Sequence, residues 1–352
     1  MIMKRILTLL FALATISSCT VNMDNSLPRA DESELPCDVN VFHNVFNDVF
    51  FNGVDELHGL MVLQNGKVIY EEYSTGFGPD FKHVLWSASK TFTATAIGFA
   101  RQDGLLDVND KVVSFFGDDV LPEERSEWLN NLTIHHLLCM SACLKETLDG
   151  RMRNGEDFDW VKDALSKGFN FEPGSRFFYN SVDSHILSAI VTKVTGKTAE
   201  EYMKGKLFDK IGLTDYIWEK CPTGESIGGF GLFMTLESLA KMGQFMLNKG
   251  TWNGERLLEE EWFDMAMSPQ IMQYEISGVP EANAERYKDD DWNQGYCYQM
   301  WKCTRGGARL DGAKGQLCII IPEKNAVVAT LGSTGNTGVL INSIWKHIYD
   351  NI

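Results

Sequence analysis

The sequence predicts an α+β domain, with an antiparallel sheet assembled from both ends of the chain, flanking helices, and a mostly helical insertion. Two hairpin patterns and the helical stretch between them carry this prediction. Near the N-terminus, Leu60-Met61-Val62-Leu63 and Val68-Ile69-Tyr70 are β-rich runs joined through Asn65-Gly66, a preferred type I′ turn pair. Near the C-terminus, Cys318-Ile319-Ile320-Ile321-Pro322, a turn at Glu323 to Asn325, and Ala326 to Leu331 repeat the pattern. From about residue 105 to 225 the apolar periodicity is helical and the connections are long.

The elements follow in chain order. Lys4 and Arg5 precede an apolar run, Ile6 to Ile16, too short to span a bilayer as a stable helix. Ile16-Ser17-Ser18-Cys19 resembles a bacterial lipobox. Residues 1–18 are therefore expected to be a lipoprotein signal peptide, with Cys19 lipidated. Ordinary secretion with cleavage nearby is the alternative. Residues 19–38 are polar and proline-punctuated and read as a tether, which leaves 39–352 as the folded domain. No later stretch is apolar for long enough to cross a bilayer, so the expected location is the bacterial cell envelope, periplasmic or outer membrane, held by the lipid alone.

After the first hairpin, a helix is predicted from about Ser87 to Gln102, stopped by Asp103-Gly104. Ile186, Leu187, Ile190, Val191 and Val194 stripe another, ended by Gly196, and Thr198 with Glu201 forms a capping box for the next. Thr235 to Asn248 and a terminal stripe of Leu340, Ile341, Ile344, Trp345 and Ile348 complete the set.

A net charge of −16 without any basic stripe argues against nucleic-acid partners, since phosphate backbones would be repelled. Apolar residues at 44% and charged residues at 23% fit a globular domain rather than a disordered chain. His135, Cys139 and Cys143 fall at i, i+4, i+8, a possible metal face. A buried helix using cysteine as a small hydrophobe accounts for them better, because no fourth ligand is apparent. Neither a metal nor a cofactor is expected.

Three Ser-x-x-Lys motifs occur, at Ser87–Lys90, Ser238–Lys241 and Ser343–Lys346. The last two lie in amphipathic helices, where a solvated surface pair suffices. Ser87 instead opens SASKTFTATAIGFA, a run of small and apolar residues with no charge after Lys90. Residues i and i+3 share a helix face, which brings the Lys90 amine beside the Ser87 hydroxyl. Burial and the positive helix N-terminus both disfavour the ammonium, so the amine is suited to activate the serine for acyl transfer. In the competing structural reading Ser87 caps the helix and Lys90 snorkels to solvent. Gly224-Glu225-Ser226-Ile227-Gly228 formally matches a nucleophile elbow, with Asp311 and His347 following in order, but lacks the strand before and helix after that an elbow needs. Tyr179, leaving the Pro173-Gly174 turn just before a helix, is a candidate proton shuttle or a core aromatic with a wet tip.

Ser87-x-x-Lys90, the Pro-Gly-to-Tyr179 segment and Gly312-x-x-Gly315-Gln316 before a final hairpin together resemble the serine β-lactamase and penicillin-binding protein superfamily. The class C-like branch, with its esterases and 6-aminohexanoate-dimer hydrolases, is the most similar. LTIHHLLCMS at 132–141, GGFGLFMT at 228–235 and WNGERLL at 252–258 agree. The resemblance implies a β-lactamase/DD-peptidase-like fold, Ser87 as acylated nucleophile, Lys90 as base and Tyr179 as shuttle. It also implies half of an oxyanion hole at the Ser87 N–H, and Ser181, Gly312 and Gly315 against substrate. Ser181 stands where asparagine is usual. The third motif, usually Lys- or His-Thr-Gly, is not recognisable and must fall within Arg305 to Gln316. The expected activity is hydrolysis of a small ester, amide or peptide through an acyl-enzyme. The rivals are a β-lactamase or DD-carboxypeptidase, and a catalytically silent lipoprotein that binds peptidoglycan or peptides.

Overall fold

A computed structural model describes residues 26–52, 56–145, 155–273 and 287–352, so Cys19 and the start of the tether lie outside the described residues. The central sheet has six antiparallel strands. They are β1 (Leu57–Gln64), β2 (Lys67–Tyr73), β8 (Trp301–Lys302), β9 (Ala308–Gly312), β10 (Gln316–Ile321) and β11 (Ala326–Gly332), in the order β2-β1-β11-β10-β9-β8. The two ends of the chain meet where β1 pairs with β11, Met61 opposite Ala329 and Val62 opposite Val328. Asn65 and Gly66 both take positive φ in the β1–β2 turn, as a type I′ hairpin requires. Short pairs complete the strands: β3 (His83–Val84) and β4 (Ile217–Trp218) flank β5 (Leu232–Met234), and β6 (Thr251–Trp252) pairs with β7 (Glu255–Arg256).

The inner strands β1, β10 and β11 are apolar almost throughout because both faces of the sheet are covered there. Met61, Leu63, Ile320, Val327 and Ala329 enter the larger core. Leu60, Val62, Ile319, Ile321 and Val328 enter a second core with Phe42, Val45 and Val49 on one side and Leu340, Ile341 and Ile344 on the other. Helix α1 (Asn44–Asn52) and the terminal helix α11 (Thr337–Ile344) form that outer layer and pack on each other. The inner layer begins with α2 (Ser89–Gln102), followed by α3 (Glu127–Asn131), α4 (Ile134–Leu138), α5 (Trp160–Lys167), α6 (Ser181–Thr195), α7 (Ala199–Met203) and α8 (Asp209–Ile211). Helix α9 (Leu236–Leu247) lies on β1, β10 and β11, and α10 (Glu260–Ala266) follows it. Helix α9 presses so closely that a Cβ on Gly243 would sit 2.4 Å from the Cys318 sulfur.

Ahead of the first hairpin, α1 backs the sheet. One expectation changes: the segment read as a tether is docked from Leu27 onward. Leu27 is buried in the larger core, Arg29 pairs with Glu71 and Glu237, and the backbone of residues 28–30 bonds to Val68. A polar composition concealed one apolar anchor and one well-placed cation.

Candidate active site

Ser87 stands at the turn into α2, just after Trp86, whose φ is +48°. A non-glycine residue in this left-handed region costs on the order of 1 kcal/mol, and here it swings the chain so that Ser87 heads the helix. Every residue of α2 from Ser89 to Ala100 is buried, which explains the absence of charge between Lys90 and Arg101. Helix α2 packs against α6, and together they form the inner core behind the site.

Lys90 is 1% exposed and its ammonium nitrogen has three oxygen neighbours. The Ser87 hydroxyl lies at 3.1 Å, the Ser181 hydroxyl at 2.9 Å and the Gly229 carbonyl at 2.6 Å. All three are dipoles without full charge, so burial dominates and pulls the Lys90 pKa from 10.5 to about 7, with Asp183 opposing. Ser181 is the first residue of α6, and the Asn180 side chain caps that helix by accepting from the Val182 N–H. Gly229 reaches Lys90 because it and Gly228 lack side chains. A Cβ would lie 2.1 Å from the Ser184 carbonyl at Gly228 and 2.6 Å from the Ser181 carbonyl at Gly229. The Thr93 hydroxyl donates to the Gly228 carbonyl and ties this loop to α2.

Tyr179 is 38% exposed, and its phenol interacts with the Ser87 side chain. Burial pushes the phenol above its ordinary value, the Ser87 contact partly offsets this, and Asp311 adds to it. The ring stacks on Trp301 and meets Tyr296 edge-on, forming an aromatic wall. The Lys90 nitrogen lies 5.1 Å from the ring centre. Residues almost a hundred positions apart thus meet: Lys90 and Tyr179 at the Ser87 hydroxyl, and Ser181 at the Lys90 amine.

The third-motif stretch resolves into the end of β9. A Cβ on Gly312 would lie 2.0 Å from the Leu85 carbonyl, so Leu310-Asp311-Gly312 runs directly against the turn that presents Ser87. Asp311 accepts from the Arg309 Nε at 2.7 Å, and Arg309 is fully buried, its Nη1 donating to the Asp291 carbonyl and turned toward the Cys303 sulfur while its Nη2 has no hydrogen-bond partner among the described residues. Gly315 is placed elsewhere, its α-carbon facing Thr334 and Leu340, and its φ of +83° serves the turn into β10.

The other motifs do not assemble a site. The Ser226 hydroxyl accepts the Glu200 N–H, Asp311 belongs to Arg309, and His347 contacts Asp48 at 2.9 Å, so the elbow's three residues do not meet. Ser238 and Lys241 are buried rather than solvated, because α9 lies against the sheet; Lys241 turns to the Gly212 carbonyl and Glu237. Ser343 is buried on Asp48, while Lys346 is exposed. Helix α4 ends at Leu138, and positive φ at Met140 and Cys143 breaks the periodicity that would align Cys143 with His135.

Three features escaped the sequence reading: the Gly229 carbonyl on Lys90, the pairing of Asp311 with Arg309, and Asp183 altogether. Asp183 is fully buried on α6, with neither carboxyl oxygen bonded to any described group. Its signal was an acid at the head of an otherwise buried helix.

The Beta-lactamase family profile matches residues 53–342. The chain is 24% identical over 294 residues to the 6-aminohexanoate-dimer hydrolase of Paenarthrobacter ureafaciens, covering 78% of this chain and 71% of that protein. The octameric penicillin-binding protein homologue from Pyrococcus abyssi superposes with a TM-score of 0.65 at 19% identity, covering 88% and 77% of the two chains. A family VIII carboxylesterase superposes at 0.67 and 15% identity, covering 88% and 97%. The fold is therefore that of the serine β-lactamase and penicillin-binding protein superfamily. With the profile spanning most of its length, from β1 into α11, this chain belongs to the Beta-lactamase family.

Proposed function

We propose that the protein is a serine hydrolase that cleaves a neutral ester or small amide through an acyl-enzyme on Ser87. The observation that carries this reading is the Lys90 amine, buried, 3.1 Å from the Ser87 hydroxyl and with its pKa drawn down to about 7. Lys90 takes the Ser87 proton as Oγ attacks the substrate carbonyl. The oxyanion forms at the start of α2, where helix polarity favours negative charge. On collapse, the leaving group takes the Tyr179 phenol proton, and the Lys90 ammonium restores it. Water then attacks the acyl-enzyme, its proton passing to the Lys90 amine, and Ser87 leaves with the returned proton. A phenol held protonated by burial suits the donor role.

Labelling with a fluorophosphonate and mapping by peptide mass spectrometry tests the reading. One adduct on the Ser87 peptide is expected, absent in Ser87→Ala. An adduct that persists in that variant, or lies on Ser226, overturns it. No adduct at all favours the catalytically silent binder.

The charge around β9 supports the neutral substrate. A β-lactam or D-Ala-D-Ala peptide presents a carboxylate beside the reacting carbonyl, and a charge-assisted bond to it is worth about 1.5–3 kcal/mol. Arg309 is committed to Asp311, Arg305 pairs with Asp350 and lies over Tyr349, and Lys314 is exposed in the turn beyond β9. Turnover of short-chain p-nitrophenyl esters is expected to exceed that of nitrocefin in kcat/KM. A nitrocefin value orders of magnitude higher would instead identify a β-lactamase. For the whole chain, we propose attachment to the bacterial envelope through lipid on Cys19, the protein acting there on small-molecule or peptide substrates.

A further inference from the structure

Lys90 must become an ammonium in the middle of a protein interior, and an isolated buried cation is costly. Its direct neighbours, two hydroxyls and one carbonyl, supply dipoles only. Helix α6, which packs on α2 and brings Ser181 to Lys90, also carries a buried acid, Asp183, whose charge favours the ammonium. Asp183 is two residues beyond Ser181 on α6, is 0% exposed, and has neither oxygen bonded to any described group. Its place in the first turn of α6 is favourable for an acid, but a fully buried carboxyl with no hydrogen-bond partner among the described residues calls for a further charge partner.

The groups facing Asp183 come from three other elements. Lys90 comes from α2, Cys139 and Cys143 from the segment following α4, and Tyr296 from the chain ahead of β8. Burial pushes the Cys139 and Cys143 thiols up, to about 12 and about 11, and the Tyr296 phenol up as well. All three therefore stay neutral near pH 7, which leaves Lys90 as the cation of this cluster.

We infer that Asp183 is a positioning residue whose carboxylate supplies the buried counter-charge for the Lys90 ammonium. The inference rests on the serine-hydrolase reading and deepens it. In acylation the Ser87 O–H bond breaks, a Lys90 N–H bond and the Oγ–carbon bond form, and the carbonyl electron pair moves to oxygen. Lys90 gains the positive charge, and Asp183 balances it without touching substrate. Below neutrality Lys90 already carries its proton and cannot take that of Ser87. Burial raises the Asp183 pKa well above its ordinary value and Lys90 opposes that rise, so the two titrate as a coupled pair.

The test follows Lys90 directly, without relying on turnover. In protein carrying 13Cε-lysine, the Lys90 resonance is assigned by its loss in Lys90→Arg and titrated against pH. In Asp183→Asn its midpoint should fall by about one pH unit, because the charge that favours the ammonium is gone. In Asp183→Glu, which keeps the charge, it should stay nearer the wild-type value. On an ester substrate, the acid limb of kcat/KM should move in the same direction in Asp183→Asn. Should Asp183→Asn fail to fold, Asp183→Ser takes its place. An unchanged midpoint in the neutral variant, or equal movement in the neutral and charged variants, overturns the inference. Fluorophosphonate labelling of Ser87 is read separately on the same samples. Failure of the hydrolase reading appears there, and failure of the counter-charge appears in the Lys90 titration.

Discussion

In the proposed mechanism, Lys90 is the residue on which the chemistry turns. An amine with a pKa of about 7 is half neutral at that pH, whereas an exposed lysine near 10.5 would hold its proton. The sign of the pH dependence follows: protonation abolishes the base, so kcat/KM on a neutral ester should rise as pH increases through about 7 and then level off. A guanidinium does not deprotonate at any working pH. Lys90→Arg should therefore lower turnover about a hundredfold or more while leaving the circular dichroism spectrum intact. Near-normal turnover in that variant would mean that the site requires only positive charge. The pairing of Ser87 with Lys90 was legible in the sequence, since three-residue spacing on a helix brings two side chains together whatever the tertiary context. Asp183 was not legible in the same way. An acid near a helix N-terminus has an ordinary explanation in the helix dipole, and only burial removes that explanation.

At the scale of elements, the site is made by three chain ends meeting: the turn into α2, the start of α6 and the glycine loop before β5. The first two carry side chains, and the third contributes backbone. Gly228 and Gly229 lie so close to the carbonyls of Ser184 and Ser181 that any side chain must push the loop away from α6. Gly229→Ala should cost about 1–3 kcal/mol of stability, read as a lower urea midpoint. It should also cost activity, because the carbonyl that orients Lys90 moves with the loop. A variant with wild-type midpoint and turnover would show that the loop relaxes freely. The helix boundaries were legible from caps and stops. Gly196 ends α6 at φ +68°, and Thr198 with Glu201 closes the capping box of α7 as expected. The closeness of the glycine loop was not legible. Two adjacent glycines in sequence signal a turn, and nothing local says what they approach.

At the scale of the whole molecule, the sheet joins the two ends of the chain, and the N-terminal segment is drawn into the same body. Residues 28–30 extend the β2 edge and Arg29 bridges β2 to α9 through Glu71 and Glu237, so a lipid at Cys19 would hold the domain on a short leash. Expressed with its own leader in a bacterium, the protein should fractionate with membranes, and Cys19→Ser should release it or block its maturation. Full solubility of the unaltered protein would favour simple secretion. The sequence by itself determined the hairpins, the helices and the Ser87–Lys90 pair, because turn chemistry, capping and periodicity act over a few residues. Tertiary structure alone decided the rest: that Leu310-Asp311-Gly312 is the strand beside Ser87, that Arg309 pairs with Asp311, and that Asp183 shares an interior with Lys90. These facts depend on contacts between segments far apart in the chain. Such contacts form only because the sheet closes from both ends, and burial then sets the proton affinities that residue identity leaves open.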